Sequence, residues 1–393
     1  MNSTLLLALN FPPFGGGIAR MMGEVAARYP SGSAVVSTGM WPGSEASDAR
    51  FNQTIDRVRV ETKRLRTVNG LFRWTRRAAS LVGRTAPRPG FAWCDEVKPA
   101  GYAAAWLNAR HGLPFGVLAH GADFLLLQAK IGRSAIKRWT AARILERCAV
   151  VVANSRWSAD LVRSVLSSLE LPALAADVRV VHLGTTPSRF HPDVDPAPAR
   201  LKYGLDGGPW LLTVARLDHH KGIDTVIRAL PAVRAAFPTA CYAVAGIGDR
   251  REMLEQLIAE LGLERAVRLL GFVPDEDLPA LYNGANVFVL ASRRYDLLVE
   301  GFGIAVVEAS ASGLPVIGSR SGGIPEAVRE GVTGLVIEPE DPAAVAAAAI
   351  RLLGDESLRR QMGRAGRAAV EEYYNWDRVA ADLMRIDREF RTS

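Results

Sequence analysis

The stretch from 300 to 323, EGFGIAVVEASASGLPVIGSRSGG, constrains the fold more than any other part of the chain. Ile304 to Ser312 has helical spacing, with Ile304, Val307, Glu308 and Ala311 on one face. Gly301 and Gly303 precede that helix, Leu314 to Ile317 reads as a short buried strand, and Ser319 to Gly323 as a second glycine-rich turn. Loop, helix and buried strand in this order belong to a parallel α/β sheet. A helix that opens after a glycine loop leaves backbone N–H groups unpaired at its positive end, and such an end is a ready anion site. Glu300 stands at the mouth of the loop, where a carboxylate can meet a ligand. Glu308, eight positions on, lies within the helix, where a carboxylate is unusual unless it grips something. The spacing alone equally fits an ordinary strand–loop–helix–strand segment with two solvated glutamates.

A chain of 393 residues exceeds one ordinary core, so two domains are expected. With 49% apolar and 23% charged residues it reads as a soluble globular protein. No apolar run approaches the ~18 to 20 residues that cross a bilayer. The N-terminus has a short apolar run without a basic lead, so no signal peptide is expected. Cys94, Cys148 and Cys241 are scattered and read as reduced core residues of a cytoplasmic protein. The net charge of +7 is uneven: residues 1–184 carry 24 Lys/Arg against 12 Asp/Glu, and the remainder is net −5. Such asymmetry points to a polyanionic partner for the first half. Its most basic stretch, Lys63 to Arg88, holds eight Lys/Arg and no acid, interleaved with Leu71, Phe72, Trp74, Leu81 and Val82. That mixture suits an anionic membrane surface, with a solvated helix face over core aromatics as the alternative. No binding motif accompanies the charge to argue for nucleic acid.

In chain order, Leu5 to Leu9 is a short apolar run leading to Gly15-Gly16-Gly17 and a helical pattern from Ile18 to Arg28. This is the opening unit of a doubly wound domain, although the dinucleotide fingerprint does not fit it, which disfavours a hydride-transfer cofactor. Strands are expected at Ala34 to Thr38, Arg57 to Glu61, Phe91 to Cys94, Phe115 to His120, Ala149 to Ser155 and Val178 to Gly184. The fifth-strand end, AHGADF, places His120 and Asp123 where doubly wound sheets carry ligands. A lone His is more often a satisfied core group, and that reading stays open. Residues 1–184 form the first domain, the proline-rich 185–200 a linker, and 201–374 the second domain. Asp193 and Asp195 make a superficial Asp-x-Asp, but in a proline-rich connection rather than at a strand end. No essential metal is expected. In the second domain Trp210 to Ala215 is a strand followed by Arg216 and, five residues on, Lys221, two cations suited to phosphate oxygens. Cys241 to Ala245 is the next strand, with Gly246 and Gly248 at its crevice. Val267 to Leu270 and Val287 to Ala291 follow, and residues 375–393 form a last helix.

Glu300, the glycines after it, Glu308 and the downstream SGG together resemble the Glu, seven residues, Glu signature of retaining GT-B glycosyltransferases of family 4, which includes bacterial α-mannosyltransferases. Arg216, four residues, then Lys221-Gly222 is a second match. The resemblance implies two Rossmann-like α/β domains facing across a cleft, with the last helix crossing back to the first domain. It implies that Glu300 faces the donor sugar, that the amides of Gly301, Phe302 and Gly303 cradle the diphosphate, and that Glu308 holds the ribose. Arg216 and Lys221 would neutralise the departing diphosphate, Gly246 would line the donor crevice, and Phe272 and Val273 would meet the base. In the first domain Gly15 and Gly16 would line the acceptor side and Gly16 and Gly17 the transferred sugar. His120 would contact donor sugar or acceptor, with Asp123 beside it on the acceptor side.

The implied reaction is retaining transfer of a sugar to a lipid-linked or polysaccharide-precursor acceptor, the leaving diphosphate taking the acceptor's proton. The sequence VEGFGIAVVEA resembles the mannosyltransferase branch, which favours GDP-mannose over a UDP-sugar as donor. No cofactor beyond the nucleotide-sugar substrate is implied. The expected location is cytoplasmic, held peripherally at the inner membrane face. An epimerase of the same architecture would need further acid–base carboxylates, and a periplasmic sugar-binding protein an export signal.

Overall fold

The computed structural model describes residues 3–391. The chain forms two units, one that runs to Leu183 and resumes at Trp376, and a second from Gly184 to Asn375. In the first, strands β1 (Ser3–Leu7), β2 (Ala34–Met40), β3 (Thr54–Glu61), β4 (Pro89–Cys94), β5 (Phe115–Ala119), β6 (Val150–Ala153) and β7 (Arg179–Val180) form one sheet. Its order is β3-β2-β1-β4-β5-β6-β7, and every pairing is parallel. The central strands are buried along their whole length, as a sheet covered by helices on both faces requires. Trp93 of β4 fits only because β5 has Gly116 beside it: a Cβ there would stand 2.4 Å from the indole ring. The strand expected over 178–184 shrinks to Arg179 and Val180. The Val181 amide still reaches the Ala153 carbonyl at 2.9 Å, but β6 ends there and offers nothing further to pair with.

The second unit contains β8 (Trp210–Val214), β9 (Cys241–Ala245), β10 (Val267–Gly271), β11 (Val287–Leu290), β12 (Val316–Ser319) and β13 (Gly334–Ile337). They are parallel in the order β10-β9-β8-β11-β12-β13. β13, a four-residue strand, was not expected from the sequence; it is too short to carry a period of its own. Each sheet reverses direction of growth once, between β1 and β4 and between β8 and β11. The crevice outside the carboxyl ends of the strands at such a switch point is where doubly wound folds hold ligands.

The proline-rich 185–200 is not an extended tether. Asn283 Nδ2 donates to the carbonyls of His191 and Val194 at 2.8 and 3.0 Å, and Arg367 Nη1 to those of Pro187 and Phe190 at 2.8 and 2.7 Å. Prolines remove donors but leave carbonyls to be satisfied, and these two side chains satisfy them. The stretch then enters the helix Ala197–Tyr203.

The helix Trp376–Phe390 packs in the first unit by an apolar face of Trp376, Val379, Leu383 and Ile386. Asp387 on that face is fully buried. Its carboxylate accepts from Thr4 Oγ1 at 2.9 Å and from Arg391 at 3.0 and 3.1 Å. Burial and that carboxylate push the Tyr29 phenol, 3.4 Å away, well above its ordinary value.

Candidate active site

At the switch point of the second sheet the chain leaves β8 through Arg216, which is exposed and paired with Asp218 at 2.7 Å. A 3-10 turn, His219–Lys221, and Gly222 at φ +65° then open the helix Ile223–Ala236. A Cβ on Gly222 would sit 1.8 Å from the Ala291 carbonyl, so glycine alone lets this turn press against the end of β11. The contact brings Lys221 Nζ onto Glu300 Oε2 as an ion pair whose side chains are only 14% and 18% exposed. Burial opposes ionisation of Glu300. The Lys221 ammonium, with His220 and Arg216, outweighs it and holds the carboxyl below its ordinary range. Burial and Lys221 push His220 down to about 4, so its ring is neutral near pH 7.

From Glu300 the chain turns through Gly303, φ +96°, into the helix Ile304–Ala311. No side chain caps this helix and its first turn has no acid; the Val306 amide donates to the Gly303 carbonyl at 3.0 Å, and the positive end ahead of it is uncompensated by any side chain of the helix's own first turn. The Gly323 amide donates to the Glu300 carbonyl at 3.0 Å, and a Cβ on Gly322 would stand 2.1 Å from that oxygen. The SGG turn is thus the backing of Glu300. Gly301 and Phe302 are buried. The Phe302 ring lies 6.0 Å from Tyr374 and is part of the core. Glu308 is 2% exposed and accepts from the Tyr282 hydroxyl at 2.9 Å. Gly246 donates to the Gly271 carbonyl, and a Cβ there would meet the Ala215 carbonyl at 1.8 Å. Beyond β10, Phe272 is exposed and Val273 buried.

In the first unit, Gly15 and Gly16 precede the helix Gly17–Arg28, which begins without a side-chain cap. At the end of β5 the His120 amide donates to Asp123 Oδ1, and His120 Nε2 lies 2.9 Å from the Asp95 carbonyl. A carbonyl only accepts, so Nε2 carries the proton and Nδ1 the lone pair. Burial lowers the His120 pKa despite Glu96 nearby, which keeps the ring neutral. Asp95, at the end of β4, takes Asn10 N and Nδ2 on Oδ2 at 2.8 and 3.3 Å. Its Oδ1, like Asp123 Oδ2, is buried without a hydrogen-bond partner. Burial, then the charge of Glu96, raises Asp95 to about 8; burial raises Asp123 to about 6 against four backbone amides. Glu96 is itself raised by burial, with Arg66 resisting.

Three features were not read from the sequence. Arg293 is buried three residues beyond β11 and Asp95 directly beyond β4, and a charged residue close after an apolar strand was the available signal. Tyr282, the partner of Glu308, had none. The basic stretch 63–88 also resolves differently from its pattern. Trp74 and Val82 are core, with Trp74 Nε1 on Ser37 Oγ at 3.0 Å, whereas Val68 and Phe72 are exposed. Arg77 is spent on Asp56 and Arg66 on Glu96. A second exposed apolar pair, Ile136 and Trp139, lies on the basic helix Ala135–Leu145, with Arg143 over the Trp139 ring. Among the described residues no three His, Cys, Asp or Glu side chains are grouped to hold a metal ion. Asp195 caps the Ala197 amide and Asp193 points to solvent.

Residues 199–369 match the family model described as glycosyl transferases group 1. Over 98% of its length the chain is 31% identical to the GDP-mannose-dependent alpha-(1-6)-phosphatidylinositol monomannoside mannosyltransferase of Mycobacterium tuberculosis (strain CDC 1551 / Oshkosh), covering 97% of that protein. It is 30% identical to the Mycolicibacterium smegmatis protein of the same name, with 97% of each covered. Anabaena Alr3699/HepE, solved in complex with UDP and glucose, superposes with a TM-score of 0.77 over 98% of this chain and 99% of its own at 19% identity, a likeness of fold.

Proposed function

The chain belongs to the group 1 glycosyltransferases of the family 4 type, with two Rossmann-like units, and from that premise we propose that it is a retaining mannosyltransferase using GDP-mannose. The acceptor is a lipid-linked, polyhydroxylated headgroup. The observation that carries this reading is full-length similarity to mannosyltransferases named for a GDP-mannose donor and a phosphatidylinositol mannoside acceptor. The Lys221–Glu300 pair at the β8/β11 switch point supports it.

Breaking the donor's glycosidic bond develops positive charge at the anomeric carbon and negative charge on the diphosphate. Arg216, Lys221 and the amides of Gly301 to Gly303 offset the latter; each well-placed donor of this kind contributes roughly 100- to 1000-fold in rate. Lys221 shares its charge between Glu300 and the phosphate. Glu300 faces the sugar, Glu308 holds the ribose, Gly246 gives the diphosphate room, and the backbone at Phe272 and Val273 meets the base. In the first unit Gly15 and Gly16 take the acceptor side and Gly16 and Gly17 the transferred sugar, with Asp123 binding an acceptor hydroxyl. His120 presents Nδ1 as a neutral hydrogen-bond acceptor to a sugar hydroxyl. The acceptor oxygen attacks from the face the diphosphate leaves, and the diphosphate takes its proton. No step is assigned to a metal or a further cofactor.

The first unit docks reversibly on the anionic inner face of a membrane, where such an acceptor resides. Val68 and Phe72 are exposed among the cations of 63–88 and Ile136 and Trp139 on the second basic helix, and no helix of the described residues is long and apolar enough to cross a bilayer.

The test is incubation with a panel of nucleotide-sugars and a phosphatidylinositol mannoside acceptor, following nucleotide release and the anomer formed. GDP release with an α-mannosyl product is expected. Calorimetry giving UDP binding about tenfold tighter than GDP would overturn the donor, and epimerisation without transfer would overturn the reaction class.

A further inference from the structure

Lys221 and Glu300 are brought to each other by two segments seventy-nine residues apart, and one buried side chain ties those segments together. Arg293 is 4% exposed. Its guanidinium donates to His219 Nδ1 at 3.2 Å, Thr225 Oγ1 at 3.1 Å and Asp224 Oδ1 and Oδ2 at 2.8 and 2.9 Å. Its backbone amide donates to the His220 carbonyl at 2.8 Å. The groups it holds therefore bracket Lys221, one and two residues before it and three and four after. Beyond Arg293 the chain makes a short loop in which Tyr295 and Leu298 exchange two backbone hydrogen bonds of 2.9 Å, with Asp296 at φ +51°. The Tyr295 ring stacks on His219 at 4.0 Å and 25°. Glu300 follows two residues after Leu298. The turn carrying Lys221 and the loop carrying Glu300 are thus clamped by the guanidinium, the ring stack and the Gly222–Ala291 approach.

We propose that Arg293 is a positioning residue for transfer, which with the Tyr295–His219 stack fixes the geometry of the Lys221–Glu300 pair. This rests on the glycosyltransferase reading, in which that pair meets the donor. Arginine suits the task because its planar fork reaches a ring nitrogen, a hydroxyl and a carboxylate at once, whereas a lysine ammonium reaches one of them well. His219 must offer Nδ1 as a lone pair, since guanidinium only donates. Burial and Arg293 lower the His219 pKa in keeping with that. A small displacement of Lys221 would matter because a preorganised charge gives its advantage only at the place where the leaving group's charge develops.

The experiment compares R293K and Y295L with the parent, each also in K221A and E300Q backgrounds. R293K is expected to lower kcat for transfer by about tenfold or more while donor KM changes by less than about threefold. In the K221A background R293K should add less than about twofold, because the residue it positions is gone. Y295L, a change on an exposed loop, should give a smaller loss in the same direction with unchanged melting. It decides the matter if R293K fails to fold. An arm independent of substrate is the coupling between K221A and E300Q in melting temperature, which should shrink in the R293K background. Losses that multiply undiminished in K221A, or an unchanged Lys221–Glu300 coupling, would assign Arg293 to stability alone. A parent that transfers no sugar would remove the functional reading while the melting arm still judged the positioning.

Discussion

Lys221 Nζ donates to Glu300 Oε2, so the cation expected to meet the donor diphosphate is already paired with the carboxylate expected to meet the donor sugar. A change to either residue therefore acts on both. E300Q should lower transfer by about 100-fold or more while GDP affinity holds or rises, because a negative charge leaves the anion site and Lys221 is released. K221A should lose both transfer and GDP affinity. It also strands a largely buried carboxylate, so it should melt lower than E300Q at pH 7. Its deficit should narrow as Glu300 protonates on acidification. In the parent the depressed Glu300 pKa gives the opposite trend: its contribution is present above the ordinary carboxyl range and is lost as pH falls through the folded value. Activity assays, calorimetry and melting between pH 4 and 8 check all of this; equal melting of the two variants at every pH would show the pair to be energetically silent.

Glu308 should behave differently. The ribose contact proposed for it would be the same in ground and transition states, so E308A should raise donor KM by about tenfold or more with a smaller change in kcat. Tyr282 donates to Glu308 from within the core. Y282F removes one hydrogen bond to a charged group, worth about 1.5 to 3 kcal/mol at most, and should loosen GDP by less than E308A does. Calorimetric titration with GDP orders the two variants; weaker binding by Y282F would make the tyrosine the ligand and Glu308 its support.

The candidate site residues of the second unit were legible as a pattern because their signals are local. Gly222, Gly246, Gly303 and Gly322 all occupy positive φ, and each stands where a Cβ would meet a close neighbour, three of them a backbone carbonyl. Such positions declare themselves as glycines beside apolar strands. Arg293 was not legible because its meaning lies in His219, Asp224 and Thr225, about seventy residues earlier. Between Lys63 and Arg88 the sequence did contain the answer. Trp74, Ala78 and Val82 recur every fourth residue and are the buried face of the helix Val68–Arg84, while Val68 and Phe72 fall on the other side. Composition hid what periodicity would have separated. The Asp95 cluster was obscure for another reason: WCDEV reads as a strand end followed by solvated acids, and only burial makes it otherwise.

Asp95 makes stability depend on pH in a direction unusual for a carboxylate. Its folded pKa, about 8, lies above its ordinary value, so the folded state binds the extra proton. The contribution is full below the unfolded pKa, declines as pH rises, and is gone above pH 8. Asp123, at about 6, acts in the same sense over a narrower window. D95N keeps an oxygen for the Asn10 donors and cannot ionise. Its melting temperature should come nearest the parent's at about pH 4 and below and exceed it increasingly toward pH 8, each unit of titration being worth about 1.4 kcal/mol at most. Parallel melting curves for the two proteins across that range would place the proton elsewhere, with Glu96 the first candidate.

Membrane docking should depend on two faces of the first unit rather than on the charge of 63–88 alone. In that stretch Arg64, Arg66 and Arg77 are paired with Glu61, Glu96 and Asp56, while Lys63, Arg73, Arg76, Arg84 and Arg88 are exposed. Five such cations near an anionic surface contribute up to about 1 kcal/mol each, diminishing with salt. That supports weak, reversible attachment, to which Phe72 and Trp139, 66% and 61% exposed, add apolar insertion. Sedimentation with phosphatidylglycerol-rich vesicles should therefore weaken when salt is raised, and zwitterionic vesicles should retain little protein. R73E/R76E should remove most of the salt-dependent part. F72S and W139S should each weaken binding at every salt concentration, and the double variant more than either, because their contribution is burial of apolar surface and is not screened. Full binding by F72S/W139S would leave a purely electrostatic surface, and equal binding to both vesicle types would assign the charge to a soluble, phosphorylated acceptor.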